Sequence, residues 1–210
     1  MDYQYIFVGS VTELNVTIAI GTISNFLLSG ATKLNFFISS PGGDADAGFR
    51  LYDFLKSLPI TVETIAFGQV SSVAVTIYLA GSRRTCTKGA SFFIHEGSFS
   101  NAYQNTAIKI IDETIRQLNN LTKRTIDIIS TETGKPVEQV EKIVKEGKLM
   151  TASQAKRFRL VNDTIEKLNL KQAPLPSPAQ QTSSAQGVVQ PTTPTPAVSQ
   201  PSQPEESTPR

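Results

Sequence analysis

One cysteine and one histidine in 210 residues leave this sequence short of the side chains that build disulfide and metal chemistry. The lone Cys86 excludes an internal disulfide and any cysteine-rich metal site. With one imidazole beside it, a zinc site would have to rest mostly on carboxylates, an uncommon arrangement. Cys86 stands between Thr85 and Thr87 in an expected strand and reads as a small, inert packing residue. An excess of charge of one sign is also missing: 20 Lys and Arg face 18 Asp and Glu, a net charge of +2. The densest basic clusters, Arg83–Arg84 and Lys156–Arg159, are short and read as solvated surface, so no nucleic-acid footprint is expected. No run approaches the ~20 apolar residues of a membrane span. The opening "MDYQYIFVGS" lacks a basic segment followed by an apolar stretch, so no signal peptide is expected and a soluble cytoplasmic protein follows.

What is present is ordinary globular composition, 39% hydrophobic, up to about Lys171. From Gln172 to Arg210 the text turns to Pro, Gln, Ser and Thr, with nine of the twelve prolines and no aromatic residue. Such a segment cannot bury enough apolar surface to offset its ordering entropy. The expected organisation is therefore a folded domain over 1–171 and a disordered tail over 172–210.

Within the first part, strand and helix patterns alternate. "YQYIFVG", "KLNFFISS" and "ITVETIAFG" read as strands, and "ELNVTIAIGTISNFLLSG" as a helix between the first two. In "PGGDADAGFRLYDFLKSL" a turn precedes a helix whose apolar face is Ala47, Leu51, Phe54 and Leu55. "SSVAVTIYLAG" fits a buried helix or a strand, and "RTCTK" and "ASFFIH" are short strands. A long helix is predicted from Asn105 to Thr133, ended by Gly134. Its seam, Ile108, Ile111, Ile115, Leu118, Thr122, Thr125 and Ile129, suits packing on its own domain or on another subunit. "KPVEQVEKIVKEG" and "TASQAKRFRL" follow as helices, the latter with Thr151 and Gln154 spaced for a capping box. Repeated strand–helix units argue for an α/β domain with largely parallel strands.

Three short pieces carry chemistry. In "SSPGGDADAG" a strand enters a turn where Gly42 and Gly43 expose backbone N–H groups before a helix, a setting that suits a negative oxygen. No Gly-Lys-Ser/Thr follows, which excludes a nucleotide P-loop. In "GQVSSVAVTIYLAG" Ser72 is placed as a helix cap or as a nucleophile. In "SFFIHEG" the single histidine, His95, ends an apolar strand, where it is structural or catalytic. Each piece alone has an ordinary structural explanation. Together they supply a hydroxyl, an imidazole and oxyanion donors at the ends of successive strands, the parts of an acyl-transfer site.

The segments "FFISSPGGDADAGFRLYDFLKSL", "GQVSSVAVTIYLAGSRRTCTKGASFFIHEG", "TGKPVEQVEKI" and "LMTASQAKRFRLVND" resemble, in order and spacing, the proteolytic subunit of the Clp protease family, over about Tyr5 to Lys167. The resemblance implies a crotonase-like fold of repeated β-β-α units with a long handle helix. It makes Ser72 the nucleophile, His95 the general base, and the N–H groups of Gly43 and Val73 the oxyanion hole. Ser71 falls at a neighbouring position without a role. It also implies a homo-oligomeric assembly of stacked rings whose chamber admits peptides or unfolded chains, with no metal or organic cofactor.

The sequence departs from that pattern at several points. Gly147 stands where the family places its triad aspartate, and the adjacent Glu146 would substitute only through a rearranged turn. Ala74 replaces a glycine common after the nucleophile region, and "HEG" replaces His-Gln-Pro. The chain begins almost at its first strand, so the segment that engages the family's AAA+ unfoldase is expected to be missing. Three functions follow in order: a serine endopeptidase acting through an acyl-Ser72, a non-catalytic ring subunit, and a crotonase-type acyl-CoA hydratase or isomerase.

Overall fold

The structure is a computed structural model that describes residues 1–97 and 108–170. The expected tail, 172–210, and residues 105–107 of the expected long helix lie outside the described residues. The chain runs β1 (Asp2–Val8), α1 (Glu13–Leu28), β2 (Lys33–Ser40), α2 (Ala45–Ser57), β3 (Thr61–Ser71), α3 (Val73–Leu79), β4 (Arg83–Thr87) and β5 (Ser91–Ile94). It continues through α4 (Ile108–Thr133), α5 (Val137–Glu146), β6 (Lys148–Thr151), α6 (Ala152–Phe158) and β7 (Asp163–Ile165).

Strand, helix and parallel strand follow one another, so the sheet grows by crossovers in the order β1-β2-β3-β4-β7, all parallel. On the side away from β2, β3 serves two neighbours. Glu63–Ala66 pairs with β4, whereas Gln69–Ser71 pairs with β5. The change of partner coincides with a bulge: Ile38 faces Ala66, but Ser40, two residues on, faces Val70. The extra residues of β3 form a bulge where its pairing passes from β4 to β5, and Ser71 pairs with Phe93 beyond it. β6 then adds to β5 antiparallel, with Phe93 opposite Leu149 and Ile94 opposite Lys148. This arrangement agrees with the expected crotonase-like class.

The helices form where their caps and apolar faces predict. Thr12, Asp44 and Thr151 cap α1, α2 and α6, and Thr151 with Gln154 completes the capping box. Segment 73–79 resolves as a helix, and every residue of it is buried. That is why its periodicity is uninformative. Gly48 lets α2 approach α3 closely, since a Cβ there would lie 2.3 Å from Val73 Cγ2. Gly134, at φ +64°, ends α4 through its N–H to Ser130 O.

The two halves of the α4 seam differ in burial. Ile126, Ile128 and Ile129 are buried in the domain's own core, whereas Ile110, Ile111 and Ile115 are 44–55% exposed. Arg84, expected at a solvated surface, is instead buried and ties the C-terminal end of α4 to the rest of the domain by donating to the backbone carbonyls of Gly81, Glu132, Arg159 and Leu160. Glu132 of α4 in turn accepts from the Tyr52 hydroxyl and pairs with Lys56 of α2.

Candidate active site

The bent end of β3 delivers Ser72 into a strand-to-helix turn. Its backbone, at φ +56° and ψ −134°, lies outside the ordinary regions for an L-residue, a conformation that costs about 1–3 kcal/mol and persists only when surrounding contacts over-determine it. Those contacts are visible. Ser72 N–H donates to Phe93 O at 2.8 Å, and Ser72 O accepts from Val75 N at 2.9 Å. The hydroxyl, in contrast, caps no N–H of α3. Among the described residues it has no hydrogen-bond partner, so the capping alternative does not apply. Ser71 is buried, and its Oγ accepts from Gln69 Nε2 at 2.9 Å.

The glycine turn after β2 lies directly against this serine. A Cβ on Gly42 would meet Ser72 Cβ at 2.7 Å and Ser72 Oγ at 3.3 Å. The turn is pinned to Val11: Val11 N–H donates to Gly42 O and Asp44 N–H to Val11 O, both at 2.8 Å. These two bonds bracket Gly43 without using its N–H. Val73 N–H opens α3 and, as a first-turn donor, has no intrahelical acceptor. Of the two expected oxyanion donors, Val73 directly follows Ser72 in the chain, and Gly43 follows the Gly42 that lies against Ser72.

His95 follows β5 directly, two residues beyond the Phe93 carbonyl that holds Ser72. It is half-buried. Its Nδ1 lies 2.6 Å from Glu96 O, and its ring stacks on Phe93 with centroids 4.9 Å apart and planes 24° from parallel. A carbonyl oxygen only accepts, so this contact requires the hydrogen on Nδ1 and leaves Nε2 as the basic nitrogen. No hydrogen bond joins Ser72 Oγ to His95 among the described residues, a gap of the kind that free enzymes close on binding substrate.

Gly147 terminates α5 at φ +70°. Continuing the β5–β6 register one step beyond Ile94–Lys148 sets Gly147 opposite His95. Position 147, where the family resemblance expects an aspartate, thus stands opposite His95 in register. Glu146 does not take that place: its side chain is exposed and lies 3.9 Å from Lys142 Nζ, one helical turn back. Cys86 is fully buried, and burial pushes its thiol up to about 11, so it offers no competing nucleophile. Among the described residues no group of His, Cys, Asp and Glu is placed to hold a metal ion, and no helix is long and apolar enough to cross a membrane.

Phe93 is the participant that sequence reasoning missed. An aromatic residue in a short strand reads as core, and nothing in the sequence marks its ring as the neighbour of His95.

A profile of the Clp protease family matches residues 3–168. The chain is 29% identical over 140 residues to the ATP-dependent Clp protease proteolytic subunit 1 of Cutibacterium acnes, a match spanning 65% of this chain and 63% of that protein. It is 33% identical over 132 residues to the protein of the same name from Chlamydia caviae, spanning 62% and 69%. Among solved structures, a point mutant of ClpP1 from Listeria monocytogenes aligns with a TM-score of 0.69 at 23% identity, covering 78% of this chain and 91% of the other. That last likeness is one of fold.

Proposed function

The chain belongs to the Clp protease family, and on that premise we propose that it is a serine endopeptidase acting on peptides or unfolded chains through an acyl-Ser72 intermediate. The observation that carries this reading is the Ser72 turn: a strained backbone holds a hydroxyl that has no hydrogen-bond partner among the described residues against Gly42, beside the strand that leads to His95. Strain of this kind serves to present a nucleophile.

In this mechanism His95 Nε2 accepts the Ser72 hydroxyl proton as Oγ bonds to the scissile carbonyl carbon. Gly43 and Val73 N–H groups receive the oxyanion, where each such donor contributes about 10²–10³ in rate. The C–N bond then breaks as the imidazolium returns its proton to the leaving amine. Water, deprotonated by the same imidazole, next attacks the acyl carbon, and Oγ leaves with the proton. Glu96 O keeps the hydrogen on Nδ1 in both half-reactions.

The exposed isoleucines of α4, with Leu149 of β6 at 61% exposure, support assembly into a homo-oligomeric chamber through the handle. The presentation of folded substrates falls to a separate ATP-driven unfoldase, a partner class suggested by "ATP-dependent" in the relatives' names. A cytoplasmic location goes with this reading. Gly147 favours a second reading, a ring subunit with the family fold and no turnover, since loss of the orienting carboxylate costs up to ~10⁴ in rate. Hydrolysis of a fluorogenic peptide pool by the full chain, compared with Ser72→Ala, separates the two. Ser72-dependent turnover supports the peptidase, and equal background rates in both support the inactive subunit.

A further inference from the structure

We propose that Phe93 is the positioning residue of this site, its ring fixing the plane of the His95 imidazole, one of the two tasks that a carboxylate at position 147 would otherwise perform. The catalytic meaning of this rests on the peptidase reading above, while the positioning itself is a property of the resting protein. Phe93 touches both halves of the site. Its carbonyl accepts from Ser72 N–H at 2.8 Å, and its ring lies against the His95 imidazole at 4.9 Å between centroids.

An orienting carboxylate has two tasks, to select the imidazole tautomer and to fix the plane of the ring. Here the tasks are divided. The Glu96 carbonyl, 2.6 Å from Nδ1, selects the tautomer with hydrogen on Nδ1, whereas a free imidazole favours hydrogen on Nε2. That carbonyl belongs to the next residue in the chain, so by itself it does not stop the ring from swinging away. The near-parallel stack on Phe93 does, because rotation about the His95 side-chain bonds would break it.

Position 147 fits the same account. A Cβ built on Gly147 would come 3.8 Å from Phe93 Cε2 and 3.9 Å from Cζ. The side of the Phe93 ring facing α5 is therefore where a larger residue at 147 would extend. Glycine there and an aromatic ring at 93 form a matched pair.

The test exploits the single histidine of the chain. Full-length protein labelled with ¹⁵N only in histidine gives one imidazole spin system in magic-angle-spinning NMR, whatever the size of the assembly. With the ring neutralised by raising the pH, the proposal expects the hydrogen on Nδ1. Phe93→Leu shifts the population toward the Nε2–H form and slows fluorophosphonate labelling of Ser72 by about ten- to a hundredfold, the scale of a displaced catalytic group. Phe93→Tyr keeps both properties. Hydrogen on Nε2 in the unmodified protein overturns the proposal without recourse to any variant. So does a Phe93→Leu protein whose tautomer is unchanged. A wild-type chain with the Phe93-dependent Nδ1–H form but no labelling upholds the positioning and refutes the peptidase reading instead.

Discussion

The two sides of the Ser72–His95 site are built to different tolerances. On the nucleophile side there is no room: a Cβ on Gly43 would lie 2.2 Å from Val11 O, and one on Gly42 2.7 Å from Ser71 O. On the imidazole side there is space. The nearest atom to a Cβ on Gly147 is 3.8 Å away, in a phenylalanine ring, so only the backbone's own φ of +70° resists a side chain there. Groups that the backbone supplies are thus locked by sterics and parallel-strand register, while position 147, with glycine, supplies no side chain. A backbone oxyanion hole is hard to lose by substitution without disturbing the fold. A carboxylate is lost by one codon, and its tasks can pass to neighbours already in contact with the imidazole.

The largest effect expected from the nucleophile side is that of Ser72→Ala, which lowers kcat on a fluorogenic peptide by up to about 10⁶, the loss seen when a complete triad loses its serine. Next comes Gly43→Ala. The added methyl forces the turn away from Val11, and at φ +146° the backbone itself resists a side chain. Misaiming one oxyanion donor lowers kcat by about 10²–10³, with circular dichroism checking that the fold survives. On the other side, Gly147→Asp should raise kcat, but by far less than the ~10⁴ that the carboxylate is worth in a complete triad, because Glu96 O already selects the tautomer. The gain should be greater in a Phe93→Leu background, where the ring no longer orients His95 or fills the space. Equal gains in the two backgrounds, read as a double-mutant cycle, would break the proposed division of labour. The smallest effect is that of Glu146→Gln, which leaves kcat unchanged because the carboxylate points toward Lys142 in solvent. A tenfold loss there would assign Glu146 the orienting role after all.

Much of the fold was legible because its elements are long, amphipathic and punctuated. Thr151 and Gly134 mark helix ends in the sequence and occupy those ends in the structure. Segment 73–79 was ambiguous for a physical reason: a helix buried on all sides has no polar face to reveal its period. β6 escaped because it has four residues, only Met150 of which is buried, and its identity comes from β5 beside it rather than from its own composition. The same limit applies to the site. Ser72, His95 and the glycine turn announce themselves by residue type and by their likeness to a family. The part played by Phe93 depends on three non-local facts: the β3–β5 pairing that joins its carbonyl to Ser72, the β5–β6 register that brings up Gly147, and a ring stack. None of these is written in the local sequence.

The central claim is that Ser72 is an activated nucleophile although position 147 carries no carboxylate. Intact mass of the assembled full-length chain after exposure to a serine-reactive fluorophosphonate tests it most directly, beside Ser72→Ala and His95→Ala. The account predicts one adduct per chain, absent from Ser72→Ala and strongly slowed in His95→Ala. An unmodified wild-type mass, or an adduct that persists in Ser72→Ala, would contradict it.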